Sequence, residues 1–301
     1  MGAGHDHGAG SAAGSHRWRL AAAFCLVATF FVVELIFGLL SGSLALISDA
    51  GHMAADVVAL GAALTATKIA TRPDRTGRRT YGSYRAEVFA SGFTVLLMLG
   101  VALYVVVEAV GRVGESVEVE PGPMLVVGAI GLVVNLVCVV LLRGGASESL
   151  NVRGAYFEVV ADAAGSVGVM VAGLLVATTG ESLWDTVIAV AIGVFVAVRA
   201  VVLGREVLAV LGQHVPENMD LDLVVSDLAG VAGVADMHNL HAWTLTSGMN
   251  VATAHLVLSA GADAQSVLDQ SRTVLRRRHS VEHATLQVES IASRECRESK
   301  W

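Results

Sequence analysis

The sequence predicts a membrane protein: an all-α bundle of six transmembrane helices, then a C-terminal cytoplasmic α+β domain of αββαβ order, ferredoxin-like or metallochaperone-like. Three observations carry this reading. Of 301 residues, 54% are hydrophobic and only 16% charged, with a mean hydropathy of +0.65, whereas soluble chains carry about 25% charged residues. The shortage of charge is concentrated between Leu20 and Leu211, where six apolar runs follow one another. From about Gly212 the polarity returns to that of a soluble domain.

Crossing the hydrocarbon of a bilayer takes about 20 apolar residues in a helix. Six segments qualify: Trp18–Leu40, Leu44–Ile69, Arg85–Val110, Pro123–Leu142, Val152–Ala177 and Leu183–Val207. The second and fifth are the least apolar. Basic residues in short loops mark the cytoplasmic side. Arg72, Arg75, Arg78 and Arg79 lie between the second and third segments, and Arg143 and Arg153 between the fourth and fifth. On the other side Arg112 stands among Glu115, Glu118 and Glu120, followed by Glu181. With an even number of spans, both termini are expected in the cytoplasm, in the plasma (inner) membrane of a bacterium.

The domain boundaries expected are 1–17 for a flexible His-containing N-terminus, 18–211 for the bundle, 212–292 for the α+β domain and 293–301 for a tail. Within the α+β domain, Met219–Ala229 and Ala264–Arg278 have helical spacing. Val234–Thr246, Asn250–Ser259 and Glu282–Ser290 alternate as strands, with Ser247-Gly248 as a turn. Arg276, Arg277 and Arg278 close the second helix, where cations suit its dipole.

Composition also excludes. No basic patch suits nucleic acid, and the α+β region is itself acidic. Cys25, Cys138 and Cys296 form no CxxC, so neither a disulfide framework nor a thiolate zinc finger is expected. The first 17 residues lack a basic stretch followed by a short apolar run, so no cleavable leader is expected. Their His5, Asp6, His7 and His16 sit in a Gly/Ala stretch of the kind that binds metal loosely.

Ionisable side chains inside a bilayer cost about 2.5–3.5 kcal/mol each on insertion scales and need a reason to be there. The second segment holds Asp49, His52 and Asp56; the fifth holds Glu158 and Asp162. His52 and Asp56 are four apart, as are Glu158 and Asp162, so each pair lines one helix face. Opposed faces bring one imidazole and three carboxylates to a point, a donor set that tetrahedral zinc accepts. Asp49, one turn before His52, is expected to support this site. Glu34, Glu108, Asn135 and Asp185 are each alone on their segments, and Glu34 and Glu108 read as packing or vestibule groups. In the α+β region, His238, His241, His255, His283 and Glu289 are candidates for one or two further zinc sites, with His238 and His241 expected on opposite strand faces because they are three apart.

These residues resemble the cation diffusion facilitator family of proton-coupled metal exporters, over nearly the whole chain. Ser43 to His52 followed by Asp56 is similar to that family's second helix. Tyr81 to Glu87 resembles the approach to its third, Leu150 to Tyr156 and Asp162 to Gly168 its fifth, and His238 to Trp243 and His283 to Glu289 its cytoplasmic domain. The resemblance implies a six-helix bundle, a homodimer, a metal-sensing cytoplasmic domain and proton antiport, with His52, Asp56 and Asp162 in the transport site.

It also exposes departures. Zinc-transporting members carry His where Glu158 stands here, so the site is harder and more negative, which suits Mn²⁺ better than a second imidazole would. His residues of a second site fall where Arg79 and Ser83 stand, and Arg143–Ser149 lacks the His-rich loop of the zinc branch.

The expected activity is export of a divalent metal ion by alternating access, in exchange for protons. Zn²⁺ is the first candidate as cargo; Cd²⁺, Co²⁺, Mn²⁺ and Fe²⁺ follow. A regulatory Zn²⁺ is expected in the cytoplasmic domain. An intramembrane metalloenzyme is the rival from another class, but no HExxH occurs.

Overall fold

The computed structural model describes residues 17–70, 81, 85–112, 117–144, 150–246 and 248–290. The N-terminal histidines, the arginine-rich loop after the second segment and the tail with Cys296 lie outside them. Six long helices come first: α1 Arg17–Ser41, α2 Leu44–Ala70, α3 Arg85–Gly111, α4 Pro121–Arg143, α5 Leu150–Thr179 and α6 Leu183–Leu211. Then follow α7 Leu221–Ala229, β1 Val234–Thr246, β2 Met249–Leu258, α8 Ala264–His279 and β3 Val281–Glu289. The chain divides into two compact units. One holds α1, α2, α3 from Phe89, α4, α5 and α6 to Gly204; the other begins at Arg205 and includes Arg85–Val88.

In the helical unit, each of α1 and α3–α6 buries one stripe. On α4 it runs through Met124, Val127, Gly131, Asn135, Cys138 and Leu142; on α3 through Val95, Met98, Ala102, Val105 and Ala109. These are three- and four-residue steps, the period of one helix face. The opposite faces expose Val32, Phe37, Leu96, Leu103, Val107 and Val140. In water so much apolar surface would drive aggregation; against lipid it is the expected exterior. Among the described residues, α1, α3, α4, α5 and α6 are long and apolar enough to span a bilayer. The sixth helix, α2, has 27 residues, about 40 Å at 1.5 Å per residue. It differs in kind: from Ser43 to Asp56 nearly every residue is buried, on all sides. A helix enclosed by other helices can carry polar groups that lipid would not tolerate.

Asp185, the third residue of α6, caps α2. It is fully buried and accepts from Ser43 Oγ (2.6 Å), Leu44 N (2.7 Å) and Ala45 N (3.1 Å). Arg112 closes the knot, donating to Gly42 O (3.0 Å), Asp185 (3.4 Å) and Glu108 (3.2 Å). A carboxylate at a helix N-terminus satisfies amides that have no partner within the helix and suits the dipole. Here it is supplied by a neighbouring helix. Two of the lone acids of the sequence, Glu108 and Asp185, thus belong to one structural cluster.

In the second unit the sheet order is β1-β2-β3, with β1/β2 antiparallel and β2/β3 parallel. Val224, Leu228, Val267 and Leu275 from α7 and α8 pack on Ala252, Ala254 and Leu256 of one sheet face. Helix α7 starts at Leu221 rather than Met219, because Asp220 accepts from Asp222 N and Leu223 N as N-cap. The hairpin turns at Gly248, with φ 75°. The αββαβ order is as expected.

Candidate metal centre

In the helical unit, α2 and α5 bring together His52, Asp56 and Asp162, which are 3%, 6% and 2% exposed. One ligand atom of each lies within 4.8 Å of the other two. His52 Nε2 is 3.2 Å from Asp162 Oδ1 and 3.6 Å from Asp56 Oδ2. Ligands about 2.0–2.2 Å from a zinc ion stand roughly 3.3–3.6 Å apart in a tetrahedron. Asp56 Oδ2, Asp162 Oδ1 and His52 Nδ1 are buried without a hydrogen-bond partner among the described residues. Buried carboxylate lone pairs left unmatched are costly, and a cation held between Asp56 Oδ2, Asp162 Oδ1 and His52 Nε2 removes that cost for the two oxygens. The donor set therefore fits a divalent metal.

The approach of α5 to α2 depends on Gly165. A Cβ there would lie 2.6 Å from Asp49 Oδ1. Asp49 in turn shares a side-chain hydrogen bond with Glu34 of α1, one carboxyl group against another. One turn along α5, Ser166 accepts from Asn135 Nδ2 at 3.3 Å. So Asp49 supports the packing around His52, and Glu34 and Asn135 lie in the same buried polar layer.

Glu158 stands one turn before Asp162 but outside the three-residue cluster. Its carboxylate is hydrogen-bonded to Asp56 and paired with Arg199 of α6. The other arm of Arg199, Nη1, is 3.1 Å from His52 Nε2. Arg199 was not singled out by the sequence reading. The signal was available: an arginine in an apolar run is as costly as an acid and needs a partner.

In the second unit, His238, His255 and Glu289 form a second candidate cluster. His255 Nδ1 is 2.9 Å and His238 Nε2 3.7 Å from the Glu289 carboxylate. Gln287 donates to Glu289 at 2.9 Å. The expectation that His238 and His241 face opposite ways is corrected. His238 pairs with His255 and His241 with Thr253, and Asn239 between them has φ 52°. This bulge inserts one residue and returns both histidines to one face. His241 and His283 share that face but are exposed and stand outside the cluster.

A membrane-embedded bundle with a dehydrated imidazole–carboxylate cluster at its centre defines a class: proteins that bind a cation within the bilayer. Comparison with known proteins narrows it. Residues 20–211 match the family model described as the cation efflux transmembrane domain, and residues 216–291 that of the cation efflux protein cytoplasmic domain. The chain is 40% identical over 291 residues to the metal cation efflux system protein CzcD of Cupriavidus metallidurans, covering 96% of this chain and 90% of the relative. It is 32% identical over 297 residues to a cadmium, cobalt and zinc/H(+)-K(+) antiporter of Bacillus subtilis, covering 96% and 93%. It is 33% identical over 273 residues to the zinc transporter ZitB of Escherichia coli, covering 90% and 87%. The chain belongs to the cation diffusion facilitator family and is a multi-pass membrane transporter for metal cation efflux.

Proposed function

We propose that this transporter exports Zn²⁺, with Cd²⁺ and Co²⁺ as further cargo, in exchange for protons. The observation that carries the reading is the convergence of His52, Asp56 and Asp162, with buried acceptor atoms lacking donors. The names of the relatives, which include zinc, cadmium, cobalt and antiport, support the cargo and the exchange. Glu158, expected as the fourth donor, lies one turn before Asp162 on the same helix but stands outside the three-residue cluster, paired with Arg199.

Metal ligands must be deprotonated to bind, so protons and metal compete for the same atoms. Cargo taken from the cytoplasm binds neutral His52 and ionised carboxylates. When the bundle opens to the other side, protons entering there release it.

The second unit acts as a homodimerising, zinc-sensing domain on the cytoplasmic side, with both termini on that side. The match to the family's cytoplasmic domain and the His238–His255–Glu289 cluster support this. The division at about residue 212 accords with the two family matches.

The test is metal uptake into proteoliposomes under an imposed pH gradient, with zinc, cadmium, cobalt, manganese and iron compared side by side. Zinc flux that rises with the gradient and exceeds manganese and iron flux is expected. Flux indifferent to the gradient would remove the antiport, and a preference for manganese or iron would change the cargo.

A further inference from the structure

We infer that Arg199 is a tethered cation that competes with the cargo for the transport site and sets how tightly the cargo is held. This inference rests on the transport reading of His52, Asp56 and Asp162. It concerns a residue of α6 that carries no ligand atom of its own.

The chemistry of its guanidinium limits what Arg199 can do. It is always charged and only donates. One arm of Arg199 pairs with Glu158, and Nη1 is 3.1 Å from His52 Nε2. His52 Nε2 is therefore used as an acceptor, through the same lone pair that a metal ion needs. The lone pair serves one partner at a time, so cargo binding at Nε2 requires Nη1 to leave. The guanidinium is positioned by its own helix. Phe195, one turn earlier on α6, lies beneath it at 5.9 Å and meets the His52 ring edge-on at 6.1 Å.

Charge gives the second strand of the argument. When the three carboxylates are ionised to receive a metal, Glu158, Asp56 and Asp162 carry three negative charges and Arg199 one positive charge. The net of two negative charges matches a divalent ion in a site that water does not screen. Without Arg199 the site carries one charge too many, and Glu158 is free to turn from α5 toward the metal as a fourth ligand. Both changes tighten binding. A carrier must also release its cargo, and an internal competitor keeps the site from becoming a trap. Arg199 is thus a positioning and affinity-setting residue, acting through Glu158 and His52.

The experiment is zinc titration calorimetry on the full-length protein in detergent, reading the component of binding that Asp162→Asn removes. Arg199→Gln is expected to tighten that component by about tenfold or more, since a like charge a few ångströms from the ion is gone. Arg199→Lys keeps a partly buried cation but cannot reach both partners, so a smaller tightening in the same direction is expected. The double variant Arg199→Gln/Glu158→Gln restores the net charge and removes the candidate fourth ligand. It still lacks the Nη1 competitor at His52, so its affinity is expected between that of wild type and that of Arg199→Gln, because opposite charges this close are strongly coupled. Unchanged or weaker binding in both Arg199→Gln and Arg199→Lys would overturn the inference, as would a double variant as tight as Arg199→Gln. If Asp162→Asn removes no binding at all, the transport reading itself fails, which is a separate result.

Discussion

The chain builds a His–carboxylate cluster twice, by different means. In the helical unit the donors are an i,i+4 pair on α2 and one residue of α5, are almost fully buried, and face a cation supplied by a third helix. In the second unit they come from three adjacent strands and are half-buried, with Glu289 supported by Gln287. The same side chains serve different ends because the surroundings differ. Burial without water makes each unmatched lone pair expensive and makes binding sensitive to every nearby charge. On the sheet face the His238, His255 and Glu289 side chains are 13%, 21% and 8% exposed, so water reaches His255 as an alternative partner. The first arrangement suits a site whose occupancy must switch; the second suits a site that reports metal concentration.

The largest expected effect breaks the comparison at its first member. Asp162→Ala or Asp56→Ala should lower zinc flux in proteoliposomes by about a hundredfold or more, as loss of one ligand from a three- or four-ligand site does. The protein should still elute as a folded species. Flux near wild type in either variant would mean that cargo passes elsewhere.

Next comes the frame that holds the first cluster. Asp185→Ala strands the hydroxyl of Ser43 and the amides of Leu44 and Ala45. A cost of about 2–4 kcal/mol is expected for a buried group with several charge-assisted bonds. Thermal unfolding in detergent measures it, and an unchanged midpoint would show that α2 does not depend on this cap.

The second cluster is tested by linkage. Zinc at about a hundred times its dissociation constant stabilises the fold that binds it by about 2.7 kcal/mol. The second unit of the full-length protein should resist proteolysis better with zinc, and His255→Ala or Glu289→Ala should abolish that protection while leaving flux within about fivefold. Protection that survives both substitutions would move the sensing site elsewhere.

The smallest effect lies away from both clusters. Asp227 joins α7 to the end of α8 through Arg278 and through His279 at 2.9 Å. Desolvation pushes its carboxyl up, but the bonds from His279 and Arg278 outweigh it and hold the group below the usual carboxylate range. A carboxylate whose folded pKa is lowered adds stability above its unfolded pKa and loses it as pH falls through the folded value. Asp227→Asn should therefore be slightly less stable than wild type at neutral pH, and the gap should close in acid. A gap that stays constant with pH would show that the charge on Asp227 is not what matters.

Much of this was legible in the residues. Six apolar runs became six helices within a few residues, because length and hydropathy alone decide a span. The two i,i+4 pairs identified the face that α2 and α5 turn inward. What could not be read depended on a third partner or on a break in period. Arg199 was passed over in the apolar run Leu183–Val207, and its role appears only when α6 is seen beside His52 and Glu158. Asp185 was read as a lone acid, since a cap contributed 141 residues away leaves no local pattern. The bulge at Asn239 shifts the strand by one residue and so reverses a face assignment made by counting.

The Asp185 knot has a mechanical consequence. Helices α2 and α6 start at the same end, are tied there by Asp185, and meet again further along where Arg199 reaches His52. With Ser48 Oγ also donating to Ala189 O at 3.2 Å between these two points, three attachments make the pair behave as a splint. The knot has several short bonds and no metal-dependent member, whereas the Arg199 contact is the one that cargo must displace. Displacing Arg199 therefore frees the splint at one end only, while the Ser43 end of α2 keeps its bonds to Asp185 and Ser48 its bond to Ala189.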